Sequence, residues 1–219
     1  MRKDYLDTLS RPSVPAHNRP AFYFVSHSKK LSDREKWNRR YREQSPGLGA
    51  PPPAPIVAEL AHLLPETGAA IDAGGGTGRH AIWLARRGFV VTIADVSEVA
   101  LELADKHAAA AHVRIQTVCI DLENATFPPG PWDLVLSYKF IHRPLFDVFP
   151  RVLNADGVLL FVQPTRSNLE RNPKPGPRHL LENGELPTLV HDLEIIQYRE
   201  GWIDNEHLAC LLARKKTII

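Results

Sequence analysis

The segment from Ala69 to Arg79 brings a carboxylate and a dense glycine turn together within a few residues. A short apolar stretch ends in Asp72, and four glycines follow, namely Gly74, Gly75, Gly76 and Gly78. Glycine permits a positive φ and lets a ligand approach the main chain closely. The helix-like stretch that follows offers unpaired N–H groups at its start. These features predict a loop that holds a nucleotide-like ligand.

A second carboxylate, Asp95, ends the next apolar run and is spaced to accept hydrogen bonds from ribose hydroxyls. The dinucleotide pattern G-x-G-x-x-G fails when it is read from Gly74, but from Gly76 it passes in its looser form with Ala81. Asp72 discriminates better between ligands, because a pyrophosphate beside it would meet a like charge. The amino group of a ligand would instead be attracted.

The pattern D-x-G-x-G-x-G with an acid after the second strand resembles the S-adenosylmethionine (SAM) site of class I methyltransferases. The resemblance implies that Asp72 and the Gly74–Gly78 loop hold the methionine part of SAM, while Asp95 holds the ribose. Ala73 and Val96 belong to the same predicted cofactor site. SAM is then the cofactor and S-adenosylhomocysteine (SAH) the product, with a nicotinamide or flavin cofactor as the alternative.

The loop that begins with Asp121 and Leu122 follows the third predicted strand, where the adenine ring should lie. Asp121 can accept a hydrogen bond from the adenine amino group, and Leu122 can offer its backbone N–H. The methyltransferase family uses such an acidic loop, and a solvated turn acid is the alternative interpretation.

The loop after the fourth predicted strand, residues 137–144, is where a class I enzyme presents the methyl group to its acceptor. Ser137 is assigned to the cofactor site, and Tyr138, His142 and Arg143 are the candidate catalytic residues. Tyr138 can place an aromatic face near the sulfonium, and His142 can act as a base. Packing of Tyr138 and helix capping by His142 are the alternatives.

Methyl transfer from a sulfonium needs alignment of the acceptor more than a protein nucleophile. The loop after strand 4 lacks the Asn/Asp-Pro-Pro-Tyr/Phe pattern that is used on planar amino groups, and neither cysteine follows strand 4 or 5. A small-molecule acceptor is therefore favoured over a nucleobase. The ten histidines form no ligand motif, so no metal is predicted.

The segment from Lys36 to Tyr41 is compatible with a nucleic-acid patch, an amphipathic helix or a lid over the cofactor. Trp37 and Tyr41, spaced i,i+4, share one helix face. A W-x-x-x-Y helix before the glycine motif is similar to the small-molecule methyltransferases related to tellurite-resistance TehB and thiopurine methyltransferases, which implies that both rings contact the cofactor. Residues 36–215 share the likeness, except that Gln163 stands where many relatives have an acid.

A basic loop follows the fifth predicted strand. It contains Arg166, Arg171, Lys174 and Arg178. These side chains can favour an anionic acceptor, or they can be solvated loop residues. The sequence leaves both interpretations open.

Alternating strand and helix patterns predict an α/β fold, a Rossmann-like doubly wound seven-stranded sheet, mostly parallel with an antiparallel C-terminal hairpin. Strands are expected near residues 69–73, 90–94, 113–120, 133–137, 157–163, 194–202 and 206–214. Helices are expected near 32–43, 56–64, 78–87, 98–107, 145–153 and 183–191. Residues 1–55 are interpreted as an N-terminal extension with a lid-like helix and a proline-rich linker, and residues 56–219 as the SAM-binding domain.

Composition limits the class of protein. The 219 residues are 43% hydrophobic with a net charge of +2, which makes no case for nucleic acid by itself. No apolar run reaches the roughly 18 residues of a membrane span, and the first residues lack a secretory segment. Cys119 and Cys210 are expected to be buried free thiols in a reducing cytoplasm.

Two other functions remain open from the sequence. One is a methyltransferase-fold protein that binds SAM without turnover. The other is a methyltransferase that acts on RNA or protein, with residues 1–55 as a docking arm. The sequence leaves the oligomeric state and the acceptor atom unassigned.

Overall fold

The computed structural model describes residues 32–43 and 50–216 of the chain. The helices are α1 (Asp33–Glu43), α2 (Pro55–Glu59), α3 (Arg79–Arg86), α4 (Glu98–Ala110), α5 (Phe149–Val152) and α6 (Leu186–Leu189). The strands are β1 (Gly68–Ala73), β2 (Phe89–Asp95), β3 (Gln116–Cys119), β4 (Trp132–Tyr138), β5 (Leu153–Pro164), β6 (Leu193–Ile203) and β7 (Glu206–Lys215). Short 3₁₀ turns cover Leu60–Leu63, Arg143–Asp147, Arg166–Glu170 and Pro177–His179. The predictions for residues 1–31 and for residues 45–49 of the proline-rich linker lie outside the described residues.

All seven strands form one sheet in the order β3-β2-β1-β4-β5-β7-β6. Strands β1 to β5 pair in parallel, and β7 runs antiparallel to both β5 and β6. The predicted fold class is therefore confirmed. The strand order reverses between β1 and β4, so a crevice opens at their carboxyl ends, where open α/β sheets bind ligands.

The sheet is buried on both faces, as near-continuous apolar strands require. In β4, Leu134 and Leu136 pack into one core layer, whereas Val135 packs into the other. Helices α2 to α4 cover the first layer, and a cluster around Phe149 and Phe161 fills the second. Because both faces are packed, the strand ends at the crevice are held in fixed positions.

Helix α1 begins at a capping box, as the sequence predicts. The Ser32 Oγ accepts the Glu35 N–H at 3.3 Å, and the Glu35 carboxylate accepts the Ser32 N–H at 2.8 Å. The helix ends at Glu43, at the predicted residue. The two rings expected to share a face, Trp37 and Tyr41, do stack, with centroids 5.8 Å apart and planes at 28°.

Two predicted helices are much shorter than expected. The helix expected near 145–153 is a 3₁₀ turn followed by the four-residue α5, because Pro150 has no N–H to donate and its ring blocks a continuous helix. The helix expected near 183–191 is reduced to α6, because Gly184 has a φ of +75°. None of the helices in the described part of the chain is long and apolar enough to span a membrane.

The prediction of two buried thiols is wrong for one of them. Cys210 is buried in β7, but Cys119 is exposed. Cys119 ends β3, which lies at the edge of the sheet and shows only partial burial along its length. An edge strand is covered on fewer sides than a central one, so its strand-like sequence did not imply burial.

Candidate functional site

A cleft of about 240 Å³ opens at the carboxyl edge of the sheet beneath α1. Predicted site residues that line it are Trp37, Tyr41, Gly74, Asp95, Val96, Asp121, Leu122 and Tyr138. Lining residues that were not assigned to the site are Asp33, Arg40, Ile120, Glu123, Lys139, Phe140, Ile141, Arg178 and His179. The cleft therefore joins the ends of β1, β2 and β4 to two segments far away in sequence.

Asp95 holds the glycine loop and the start of α4 together. Its Oδ2 accepts the Gly76 N–H at 2.9 Å, and its Oδ1 accepts the Ser97 N–H at 2.9 Å. Burial raises the pKa of the Asp95 carboxyl, and the hydrogen bonds from Ser97 and Gly76 partly offset that rise. Asp95 is thus a fixed acceptor at the end of β2 that also lines the cleft.

Asp72 lies directly beneath the glycine loop. A Cβ placed on Gly75 would come within 2.8 Å of the Asp72 Oδ2, so glycine is required there. Within the described residues this buried oxygen has no hydrogen-bond partner. Burial and, secondly, the charge of Asp95 raise the pKa of Asp72 to about 7. A cationic group bound at this loop would stabilise the ionised carboxylate.

Gly76 marks the contact between the glycine loop and α1. Its φ is +54°, and a Cβ there would lie 2.6 Å from the Tyr41 hydroxyl. Burial and the charge of Asp95 raise the pKa of Tyr41. Helix α1 thus covers the loop in the position that the lid interpretation requires. Ala73, Gly75, Gly76 and Gly78 do not line the cleft itself.

A buried asparagine that sequence reasoning missed anchors α1. The Asn38 Oδ1 accepts the Ser97 hydroxyl at 2.7 Å, and its Nδ2 donates to Glu98 at 2.9 Å. Ser97 also caps α4 by accepting the Ala100 N–H at 3.1 Å. The only sequence signal was a polar residue between Trp37 and Tyr41, which is unremarkable in a helix with a solvated face.

The predicted adenine loop lines the cleft, and the carboxylate of its Asp121 already accepts hydrogen bonds within the loop. The Asp121 Oδ1 accepts the Glu123 N–H at 3.0 Å, and its Oδ2 accepts from Asn124 at 2.9 Å. Leu122 is buried in the core and supports the turn. Asp121 therefore both shapes its own turn and lines the cleft.

The structure separates the three candidate catalytic residues. Tyr138 lines the cleft, and its ring lies 4.6 Å from the ring of His80, whose pKa burial lowers to about 3. His142 begins a 3₁₀ turn without a side-chain cap, outside the cleft lining. Arg143 also lies outside the lining and forms a two-pronged pair with Glu185 at 2.5 and 2.8 Å.

Ser137, assigned to the cofactor, is completely buried and braces the backbone. Its hydroxyl donates to the Phe140 carbonyl at 2.9 Å and lies 3.3 Å from the Ala73 carbonyl. It thereby ties the end of β1 to the loop after β4. Ser137 contributes to the site by holding these two backbone segments, not by lining the cleft.

Only one cation of the basic loop reaches the cleft. Arg166 pairs with Glu182, Arg171 lies 3.7 Å from the centroid of the Trp202 ring, and Lys174 is exposed away from the cleft. Arg178 lines the cleft. Gln163, where an acid was expected, is buried and donates to the His179 carbonyl at 2.6 Å, so it positions the Pro177–His179 turn.

Metal ligands are not gathered at the cleft. Over residues 32–43 and 50–216, no group of three His, Cys, Asp or Glu side chains is placed to hold a metal ion.

Comparison with known proteins identifies the class of domain. Residues 70–157 match a family model described as a methyltransferase domain. This stretch runs from β1, through the glycine loop and Asp95, to the start of β5. A search of curated proteins finds no match.

Solved structures share the fold. One from echinomycin biosynthesis, described for the conversion of a disulfide bond into a thioacetal group, has a TM-score of 0.66 at 22% identity, covering 84% of this chain and 92% of that one. TehB from Haemophilus influenzae has a TM-score of 0.61 at 23% identity, covering 74% of this chain and 61% of TehB. Magnesium protoporphyrin IX methyltransferase from Synechocystis with bound SAH has a TM-score of 0.59 at 16% identity, covering 85% and 89%.

The family-model match agrees with the resemblance that the glycine motif indicated, and TehB is among the proteins that share the fold. The residue assignments within the site stay predictions.

Proposed function

We propose that this chain is a class I SAM-dependent methyltransferase that transfers a methyl group to a small molecule bound in the cleft beneath α1. The observation that carries the proposal is the buried, unpartnered Oδ2 of Asp72 next to the charge of Asp95. Two carboxylates under one loop favour a cation there and disfavour a pyrophosphate. The ammonium group of SAM meets that requirement, and the pyrophosphate that NAD would place at this loop does not.

The cofactor residues divide by the part of SAM that each would hold. Asp72 balances the ammonium group, and the glycine loop with Ala73 gives the methionine part access to the main chain. Asp95, fixed by two backbone donors, accepts from a ribose hydroxyl, with Val96 beside it.

The remaining cofactor contacts come from the loop after β3 and from α1. Asp121 and Leu122 flank the adenine ring. Trp37 and Tyr41 cover the cofactor from α1, and Ser137 holds the backbone around it.

SAM, when bound, supplies a methyl group on a sulfonium that is ready for in-line displacement. The chain's own residues then have to orient the acceptor and exclude water. Tyr138 and Phe140 line the cleft at the end of β4 and provide aromatic surface for that purpose. An aromatic face near a sulfonium contributes about 0.5–2 kcal/mol. Among the three candidate catalytic residues, Tyr138 is the one that we assign to the acceptor side.

An ion pair that spans the cleft favours a small acceptor over a polymer. The Asp33 carboxylate on α1 pairs with Arg178 at 2.9 Å, which links α1 to the Pro177–His179 turn. A polymer strand would have to displace this link, whereas a small molecule fits beneath it.

Calorimetric titration with SAM and SAH, with NAD as the control, tests the cofactor assignment. We expect micromolar SAM binding and SAH binding at least as tight, with no NAD binding. Transfer of labelled methyl groups from SAM to a panel of small thiols, acids and metalloids, compared with RNA and protein, then tests the acceptor class. Absence of SAM binding by the folded protein, or transfer to a polymer alone, would contradict the proposal.

A further inference from the structure

Positively charged side chains surround a second opening that adjoins the cleft. Its lining, which we call the mouth, consists of Asp33, Lys36, Trp37, Arg40, Arg178 and His179. Five of these six residues also line the cleft, so the mouth is continuous with it. The mouth holds three permanent cations and one carboxylate, although the chain as a whole carries only a net +2.

The single carboxylate of the mouth is shared between two cations. Asp33 accepts from Lys36 at 2.7 Å and from Arg178 at 2.9 Å. The hydrogen bond from Lys36 contributes most to lowering the pKa of Asp33, and Arg178 adds to it. Asp33 is therefore ionised at neutral pH, and it cancels one of the three positive charges.

Arg40 has no acid partner in the described part of the chain. Its guanidinium lies 5.0 Å from the centroid of the Trp37 ring, and no described carboxylate comes within ion-pair distance. Arg178 is held in place, since its Nε donates to the His179 Nε2 at 2.8 Å. Burial, with the charge of Arg178, lowers the pKa of His179, so that ring is a neutral acceptor.

The charge changes sign along the cleft. Asp95, Asp121 and Glu123 line the cleft but not the mouth, and Lys139, which also lines only the cleft, is paired with Glu206 at 2.5 Å. The inner part thus carries acids suited to a cationic ligand, and the mouth carries unbalanced cations. The inner part therefore suits a positively charged ligand, such as the sulfonium of SAM. The mouth suits a negatively charged ligand, such as an anionic acceptor.

We infer that the mouth binds the negatively charged group of the methyl acceptor through Arg40 and Arg178, so that the acceptor is a small organic anion. Guanidinium groups suit a carboxylate or a phosphate alike, because their planar donors bind two oxygens at once. Trp37 gives the uncharged part of the acceptor an apolar wall. The inference rests on the proposed function, because only a methyltransferase has a methyl acceptor. The existence of an anion site does not depend on whether the protein turns over.

Binding of matched probes tests the anion site. Benzoate and phenyl phosphate are titrated into the SAH-loaded protein, with benzamide as the neutral counterpart of benzoate. We expect at least one anion to bind about tenfold or more tightly than benzamide, because charge-assisted hydrogen bonds are the stronger ones. Its affinity should fall as the salt concentration rises, since the mouth is exposed.

Variants locate the site. Arg40→Gln and Arg178→Gln should each weaken anion binding by about tenfold, measured on protein saturated with SAH. Arg39→Gln is the matched control, because Arg39 is exposed on the same helix but lines neither the cleft nor the mouth. This control should leave the affinities for both anions unchanged.

The outcomes separate the inference from the proposed function. Anion binding with no SAH binding would leave the anion site standing and overturn the methyltransferase assignment. SAH binding with no anion preference over benzamide, or with anion affinity unchanged in both Arg→Gln variants, would overturn the inference. Preference for benzoate or for phenyl phosphate would identify the acceptor as a carboxylate or a phosphate compound.

Discussion

The inner cleft and the mouth are built on opposite physical principles. The inner cleft is made of strand ends and the buried acid Asp95, with the buried Asp72 beneath the adjoining glycine loop. The mouth is made of long, partly exposed side chains on α1 and on the Pro177–His179 turn. Geometry is fixed by the packed sheet in the first region, and by ion pairs between side chains in the second.

This difference predicts how each region responds to change. A larger side chain or a lost charge at the glycine loop changes a rigid environment of low dielectric constant. Electrostatic effects on ligand binding are large in such an environment. Removing one exposed cation from the mouth alters a solvated environment, where effects are modest and depend on salt. We therefore expect near-complete losses of binding from the inner cleft and graded losses from the mouth.

The largest effect is expected from Gly76→Val. The side chain would need a φ of +54° and would meet the Tyr41 hydroxyl, so it would disturb both the loop and α1. SAM affinity in calorimetry should fall about 100-fold or more, because the loop has to admit the ligand. Gly184→Val is the control, since Gly184 has a φ of +75° with nothing within 4 Å of a Cβ. Equal losses in the two variants would mean that backbone strain, and not the site, is responsible.

The second effect is expected from Asp72→Asn, which keeps the shape and removes the charge. SAM affinity should fall about 10- to 100-fold, because a desolvated charge pair contributes on the order of 1.5–3 kcal/mol. Asp105→Asn, at an exposed position of α4, should not change SAM affinity. Wild-type affinity in the Asp72→Asn protein would remove Asp72 from the cofactor site.

The same substitution should raise stability at high pH. The folded-state pKa of Asp72 is about 7, against 3.8 for the ordinary carboxyl, so folded Asp72 keeps a proton that the unfolded chain has lost. Wild-type stability therefore falls as the pH rises from about 4 to about 7. The stability of Asp72→Asn should not fall in this range. At pH 8 its free energy of unfolding should exceed that of the wild type by a few kcal/mol, which corresponds to a pKa difference of roughly three units. Denaturant unfolding at pH 4 and pH 8 measures the difference, and a constant difference would argue against a buried, protonated Asp72.

A smaller effect is expected from Asn38→Ala, which loosens the connection between the two regions. Its hydrogen bonds to Ser97 and Glu98 hold α1, and losing them should cost about 1–3 kcal/mol in the free energy of unfolding. SAM affinity should fall moderately, since α1 carries Trp37 and Tyr41. Asn183→Ala, which removes two exposed hydrogen bonds to Ser167, is the control. Unchanged SAM affinity in a destabilised Asn38→Ala protein would mean that α1 is not part of the cofactor site.

The smallest effect is expected from Arg143→Ala, a residue that the sequence assigned to catalysis. The pair with Glu185 is 41% exposed on the arginine side, so its loss should cost no more than about 1 kcal/mol of stability. Methyl transfer and SAM binding should be unchanged, because Arg143 does not line the cleft. A loss of turnover with intact SAM binding would restore the catalytic assignment.

The inner cleft was predictable because its residues are local in sequence. Asp72 and the glycine loop lie within seven residues, and Asp95 ends the neighbouring strand, so sheet topology alone brings them together. The mouth was not predictable, since Asp33 and Arg178 are separated by 145 positions. Asn38 was missed for the same reason, as its partner Ser97 is 59 positions away. No local pattern distinguishes Arg178 from Arg166, and only the fold places one at the cleft and the other beside Glu182.

Trp37, Arg40 and Arg178 line both the cleft and the mouth, so the proposed cofactor and acceptor sites share these side chains as a boundary. An acceptor bound at Arg40 and Arg178 would cover this side of the cofactor. The two ligands are therefore expected to bind in a fixed order. SAM should bind before the acceptor, and SAH should be released after the methylated acceptor, so substitutions in the mouth should change the rate of SAH release.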